Sequence, residues 1–168
     1  MPRQPVPRAR QPRPIGEPLA PGELRILQSL LAGTTGPLPG LRSQLGAIRV
    51  VKRTATEWGP WIDFWVPPTT PRVTPTHFDF GDVHLDFEDW DGGGSAVLFV
   101  HDGALASLEI ISNVGAVPLD FRPRRIRYSR MLESEDPEGL PTFVTVDRRS
   151  LDQLREVIEE ARNREAAG

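Results

Sequence analysis

The sequence predicts an α+β fold in which an antiparallel β-sheet is packed by N-terminal helices and by a C-terminal helix. Three alternating apolar runs between Val83 and Ile111 are separated by two glycine-containing turns, which is typical of a β-meander. A leucine-rich segment over 21–32 has helical spacing, and an amphipathic segment follows Ser150. These patterns favour a sheet with helices before and after it.

The two turns of the meander predict how its strands pair. A three-residue loop over 101–103, with Gly103 in the left-handed conformation, places Val100 opposite Ala104. Closing the first, glycine-rich turn places Leu85 opposite Val100. Both registers put one set of apolar side chains on the same face of the sheet. That set is Leu85, Phe87, Leu98, Val100, Leu108 and Ile110.

The second face of the meander has a mixed composition. Its members are His84, Asp86, Glu88, Ser107, Glu109, Val97, Phe99 and Ile111. The middle strand is apolar on both sides, so we expect it to lie at the centre of the sheet with partial cover on this face. A change of phase at Gly81-Asp82 predicts a β-bulge or a break.

The remaining elements follow from caps and alternation. Pro21 suits a first helical position and Gly33 a helix end, and a shorter helix is expected over 39–45. Ser150 and Gln153 have the spacing of a capping box for the last helix. Alternation predicts further strands over 48–53, 61–66, 117–121, 122–130 and 142–146.

The N-terminal residues 1–18 contain six prolines and four arginines. Proline removes backbone donors, so this segment is expected to be a disordered tail or, alternatively, a basic docking arm. One domain is then expected over 19–165, in which 124–165 forms a C-terminal strand and helix extension.

Composition narrows the function classes. The chain has 168 residues, a net charge of −3 and no cysteine, which excludes disulfides, thiolate metal sites and cysteine nucleophiles. The small net charge argues against nucleic acid as a partner, and no apolar run is long enough to span a membrane. We therefore expect a cytoplasmic protein without a membrane partner.

The segment from Pro18 to Pro123 resembles a bacterial family of small proteins that is described only as a domain of unknown function. The similarity rests on Pro18-Leu19-x-Pro21-x-Glu23, on the leucine-rich helix up to Gly33, and on the motifs D-x-D-G and D-G-x-L-x-x-L-E-I in the meander. The resemblance implies a similar fold, because its motifs are turns and core positions, and it indicates no catalytic or ligand-binding residues. Some relatives carry cysteines in the turn near 56–60, where this chain has none, so no thiol or metal role carries over.

No motif in the sequence indicates catalysis. His84, Asp86 and Glu88 alternate along one strand, where successive side chains on one face lie about 6.5–7 Å apart and do not surround one ion. Neither a phosphate-binding loop nor a nucleophile elbow is present. We therefore expect no enzyme, no cofactor and no metal.

The sequence instead offers candidate residues for binding a protein partner. They are Asp86, Glu88, Asp89, Trp61, Trp65, Arg125 and Arg127. The tryptophans form a binding platform or close a second small core. The arginines contact an anionic partner or pair with Asp86 and Glu88 across neighbouring strands.

These observations predict a non-enzymatic protein-binding domain. An immunity-like or antitoxin-like inhibitor of a basic partner is one form, because an acidic strand face suits blocking a basic surface. The alternative is a component of a larger protein assembly that docks through the arginine-rich segment 122–130 and the proline-rich tail.

Overall fold

Three helices and seven strands make up the parts of the chain that the computed structural model describes, which are residues 16–112, 114–132 and 142–168. In chain order they are α1 (Pro21–Leu30), α2 (Leu38–Gln44), β1 (Arg49–Ala55), β2 (Pro60–Trp65), β3 (Phe78–Phe87), β4 (Gly94–His101), β5 (Ala104–Ile111), β6 (Pro123–Leu132), β7 (Thr142–Val146) and α3 (Asp152–Ala167). The predicted α+β class is confirmed.

All seven strands form one antiparallel sheet in the order β1-β2-β5-β4-β3-β6-β7. Strands β3, β4 and β5 are consecutive neighbours, which confirms the predicted meander, and β4 lies at the centre of the sheet. Strand β2 pairs with β5, and β6 pairs with β3. These two long-range pairings extend the meander on both sides.

The predicted register between β4 and β5 is wrong, because the loop that joins them is one residue shorter than predicted. The loop has two residues, Asp102 and Gly103, with φ of 50° and 69°, so His101 pairs with Ala104. Two successive left-handed residues form the type I′ turn that matches the twist of a hairpin, and aspartate tolerates that conformation. Val100 is therefore not opposite Ala104, although Gly103 does adopt the predicted positive φ.

The predicted register between β3 and β4 is also wrong. Leu85 pairs with Gly94 instead of Val100, because β3 is longer than expected and Phe78 occupies the position opposite Val100. The predicted bulge after Phe80 is confirmed, and β3 continues through it as one strand.

The assignment of side chains to faces is correct in spite of both errors. The six apolar residues assigned to one face are each at most 3% exposed. A register shift by an even number of residues preserves the face of every side chain, and a bulge restores the phase where the shift is odd.

One hydrophobic core lies between this face and the helices. Buried side chains from all three helices contribute to it; they are Ile26, Leu27, Leu30, Leu38, Leu41, Leu154 and Ile158. We call this side of the sheet the helix face. The opposite side, which carries Trp61, Phe99 and Asp86, is called the open face, because the described helices pack on the other side.

Arg149 joins α1 to the sheet on the helix face. Its guanidinium forms an ion pair with Asp82 and donates to the backbone carbonyls of Leu30 at 2.7 Å and Ala32 at 2.6 Å. It also lies 5.2 Å from the ring centroid of Tyr128, within reach of a cation–π interaction. Burial raises the pKa of Asp82 above its ordinary value, although the hydrogen bond and charge of Arg149 act in the opposite direction.

A second buried pair lies near the start of α1. Glu23 is 2% exposed, and its two carboxylate oxygens accept from the Nε and Nη2 atoms of Arg53 at 2.6 and 3.0 Å. The same carboxylate accepts from the backbone amide of Ala20 at 2.8 Å, which caps the helix. The pKa of Arg53 is raised, chiefly by the hydrogen bond to Glu23.

Three smaller expectations need correction. Residues 117–121 form no strand. The last helix begins at Asp152 without the predicted capping box, because the Ser150 hydroxyl donates to the Asp152 carboxylate. Glu17, in the predicted tail, exchanges backbone hydrogen bonds of 2.8 and 2.7 Å with Val50. The rest of the predicted tail, residues 1–15, lies outside the described residues.

Within the described part of the chain, every helix is too short or too polar to cross a bilayer.

Candidate functional site

The open face carries two tryptophans on β2. Trp61, Asp63 and Trp65 alternate with Ile62, which is buried on the helix face. The indole nitrogen of Trp61 donates to the Asp63 carboxylate at 2.8 Å, so the ring leans along the strand. Its centroid lies 5.0 Å from that of Phe99 on β4, although β5 runs between these strands. Ser107, the small β5 residue opposite both Asp63 and Phe99, leaves room for this contact.

Large apolar side chains of the open face cluster on β2, β5 and β4. We call this cluster the aromatic half of the open face. Its members are Trp61, Trp65, Val97, Phe99 and Ile111, all of which are half-buried. Half-buried large side chains on a sheet face that none of the described helices covers provide apolar area that a partner can bury.

Glu109 lies inside the aromatic half. On β5 it is opposite Trp61 on one side and Val97 on the other. Burial by these neighbours raises the pKa of its carboxyl group. Among the described residues no ion pair involves Glu109. Its charge is therefore partly removed from water, and no described residue forms an ion pair that would compensate it.

The other part of the open face, on β3 and β6, differs in that its charges are paired. We call it the charged half, and its members are His84, Asp86, Arg125 and Arg127. The Asp86 carboxylate accepts from Arg127 Nη2 at 3.1 and 3.3 Å, and it lies 3.3 Å from His84 Nε2. The predicted pairing across neighbouring strands is thus confirmed for Asp86 and Arg127. Arg125 is opposite Asp86 in the register but is exposed.

The two remaining acidic candidates lie at the end of β3 and beyond. Glu88 and Asp89 are both exposed, and the amide of Glu88 donates to the carbonyl of Arg122 at 2.9 Å. No ion pair among the described residues joins Glu88 to an arginine, so the alternative pairing of this residue is not observed. Asp82 does not share the face of Asp86, because the bulge turns it towards Arg149.

The candidate residues therefore fall into two groups. Trp61 and Trp65 are on β2, whereas Asp86 is on β3, three strands away in the sheet order. With neighbouring strands about 4.8 Å apart, the two groups are separated by about 14 Å. Glu109, Val97 and Phe99 fill the space between them. The sequence placed these three residues on the second face but did not connect them with the tryptophans.

The other two tryptophans, Trp58 and Trp90, lie outside the aromatic half. Trp90 packs against the main hydrophobic core and not in a second small one. Its indole nitrogen is buried and has no hydrogen-bond partner among the described residues. Trp58 is 48% exposed. Trp61 and Trp65 are thus the tryptophans of the open face, and their role as a binding platform stays a prediction.

Other features of the molecule offer less for chemistry. A cavity of about 430 Å³ lies between the start of α1 and residues 119–123. The charged groups at its wall include Glu23 and Arg53, which already neutralise each other. Across the described ranges, no cluster of three histidine, aspartate or glutamate side chains is placed to hold a metal ion.

Comparisons with family models, with curated proteins and with solved structures find no match to this chain. The family resemblance inferred from the sequence therefore stays a prediction.

Proposed function

We propose that this chain is a non-enzymatic protein-binding domain whose partner docks on the open face and brings a basic group to Glu109. The observation that supports this most is the position of Glu109 among aromatic and aliphatic side chains that none of the described helices covers. Its carboxylate is partly buried and has no ion pair among the described residues.

The energetics of binding favour such a patch. Tryptophan contributes strongly to protein interfaces because it buries a large rigid surface, and Trp61 and Trp65 lie at its border with β1. An arginine or lysine of the partner would offset the desolvation of Glu109, and docking would exclude the remaining water around the pair.

The charge distribution indicates the class of partner. The chain has a net charge of −3, and Asp63 and Glu109 add carboxylates to the aromatic half. On the neighbouring strand β1, Lys52 and Arg49 lie opposite Asp63 and Trp65, so the local attraction for a basic group centres on Glu109. The net negative charge favours a basic protein as the partner. An immunity-like or antitoxin-like inhibitor of a basic toxin fits this description. The cysteine-free sequence suits the reducing cytoplasm, where we propose that the domain acts.

Affinity capture from native cells with matched variants tests the proposal. Wild-type bait should retain a basic protein identified by mass spectrometry, with retention falling as salt rises. Glu109→Lys and Trp65→Ala should each lose that protein. Glu159→Lys makes the same charge change on an exposed position of α3 and should keep it. Equal retention by all three variants would contradict the proposal.

The arginine-rich segment supports a second candidate, a component of a larger assembly. Arg122, Arg124, Arg125 and Arg130 are exposed, and none of them belongs to an ion pair among the described residues. If docking used this segment and the proline-rich tail, a double variant Arg124→Gln, Arg125→Gln would lose the captured protein while Glu109→Lys retained it.

A further inference from the structure

The two edges of the sheet differ in how they are protected. Strand β1 has a bulge between Val50 and Lys52 and carries Arg49, Lys52 and Arg53. Its outer side is also bridged by Glu17, which pairs with Val50. Bulges, cations and a covering segment are the common devices that prevent an edge strand from pairing with another chain.

Strand β7, at the opposite edge, has none of these devices among the described residues. Its five residues, Thr142–Val146, are neutral and are all β-branched or aromatic. The strand pairs with β6 in regular register without a bulge. Among the described residues no strand lies on its other side, and Phe143 is 65% exposed.

We infer that the outer edge of β7 pairs antiparallel with β7 of a second copy of this chain, so that two sheets join into one across a two-fold axis. A neutral strand pairs with itself without repulsion between like charges, and it offers no charge to attract a different partner. A two-fold contact of this kind closes at two copies, because the same edge is used by both.

The residues of β7 are complementary to themselves in this arrangement. Centring the axis at Val144 gives the longest overlap and places the two Val144 side chains opposite each other. Phe143 of one copy then lies opposite Thr145 of the other, an aromatic and β-branched pair that stabilises neighbouring strands. Thr145 accepts a hydrogen bond from Arg127 at 3.4 Å, which places it and Phe143 on the open face.

The two-fold axis of an antiparallel edge contact runs perpendicular to the sheet, so the open faces of both copies point in the same direction. The inference rests on β7 alone and not on the proposed function. Pairing through β7 leaves the aromatic half free, since β3 and β6 separate it from this edge.

Cysteine cross-linking tests the pairing directly, because the natural chain has no cysteine. Opposite Cα atoms in an antiparallel pair lie about 4.5–5.5 Å apart, within the range that a disulfide spans. Val144→Cys should therefore form a disulfide-linked dimer under mild oxidation, faster than Phe143→Cys or Thr145→Cys. Val51→Cys, at an exposed position of β1, is the matched control and should remain largely monomeric.

The mass in solution provides an independent readout without any substitution. Light scattering or sedimentation of the wild-type protein should show a mass that rises to twice the 18.7 kDa of one chain by a concentration of about 100 µM. Phe143→Lys should shift dissociation to at least roughly tenfold higher concentration, whereas Val51→Lys should not. A wild-type mass of one chain at every concentration, or equal cross-linking at Val144 and Val51, would overturn the inference.

Discussion

The two faces of the sheet differ in whether their buried carboxylates form ion pairs. On the helix face, the carboxylates of Glu23 and Asp82 each face an arginine within hydrogen-bonding distance. On the open face, Glu109 is partly buried among apolar neighbours, and no ion pair among the described residues includes it. A buried charge that lacks a partner is costly, so stability alone favours pairing it. The carboxylates of Glu23 and Asp82 therefore stabilise the fold, whereas Glu109 is the carboxylate for which we propose a partner outside the chain.

The charged half of the open face lies between these extremes. Asp86 is paired with Arg127, but side-chain exposures of 24% and 29% leave the pair accessible to water. Exposed pairs contribute little because water screens them. Asp82, Asp86 and Glu109 thus form a series from a buried ion pair, through an exposed one, to a carboxylate without an ion pair among the described residues. Substitutions along this series are expected to have effects of decreasing size.

The largest effect is expected at Arg149. Replacing it with alanine leaves Asp82 buried without a cation and removes hydrogen bonds to the carbonyls of Leu30 and Ala32. Breaking a buried pair by removing one partner costs about 3–5 kcal/mol. Arg149→Ala should therefore lower the free energy of unfolding by that amount, measured by urea denaturation at neutral pH.

The neighbouring Arg148 provides the control for this prediction. It is exposed, so Arg148→Ala removes the same side chain with little expected change in stability. Arg149→Lys keeps the positive charge but loses the planar guanidinium that makes several hydrogen bonds at once. Its free energy of unfolding should lie between those of Arg149→Ala and Arg148→Ala. Equal stability of Arg149→Ala and Arg148→Ala would show that the pair does not hold α1 to the sheet.

A smaller effect is expected where the charged half is neutralised. In the double variant Asp86→Asn, Glu88→Gln, the ion pair with Arg127 is lost, and the free energy of unfolding should fall by up to about 1 kcal/mol. Glu88→Gln alone should change stability little, because Glu88 is exposed and no ion pair includes it among the described residues.

Chemical denaturation of both variants tests this assignment. An increase in the stability of the double variant would mean that repulsion among the acids exceeds the attraction of Arg127. In that case the charged half would belong with Glu109 as a surface prepared for a partner, and the contrast between the two halves of the open face would disappear.

Local patterns were sufficient to predict most elements of this fold. Alternation and glycine positions identified the meander and its two faces, and β7 was predicted with the bounds that the structure shows. The registers were predicted wrongly, because Asp102-Gly103 fits a three-residue loop as well as the two-residue type I′ turn that forms. The bulge between Phe99 and Val100 also shifts the pairing, and alternation gave no sign of it.

Long-range contacts account for what the sequence did not predict. Glu109 and Trp61 are far apart in the chain, and they become neighbours only because β2 pairs with β5. Likewise Arg149 lies in a short connection without a motif, and the sequence indicated its partner Asp82 only as the position of a bulge or break. No local periodicity encodes strand order, so the sequence identified the tryptophans without the carboxylate beside them.

The smallest and most specific effect is expected at Glu109. Burial raises the pKa of its carboxyl group in the folded protein, so in the pH range between its unfolded and folded pKa values the folded state binds more protons than the unfolded state. Stability is consequently lost as the pH rises through that range. Glu109→Gln removes this loss, because the glutamine does not ionise.

The variant and the wild type should therefore differ little in stability at low pH, and the variant should become the more stable one as the pH rises above the ordinary range of glutamate, near 4.3. Urea denaturation over a pH series measures the difference, and carboxyl NMR measures the pKa itself. Lower stability of Glu109→Gln at neutral pH would reveal a cation that compensates Glu109 within the chain. The open face would then hold its charges as the helix face does, and the basis for a basic partner at Glu109 would be lost.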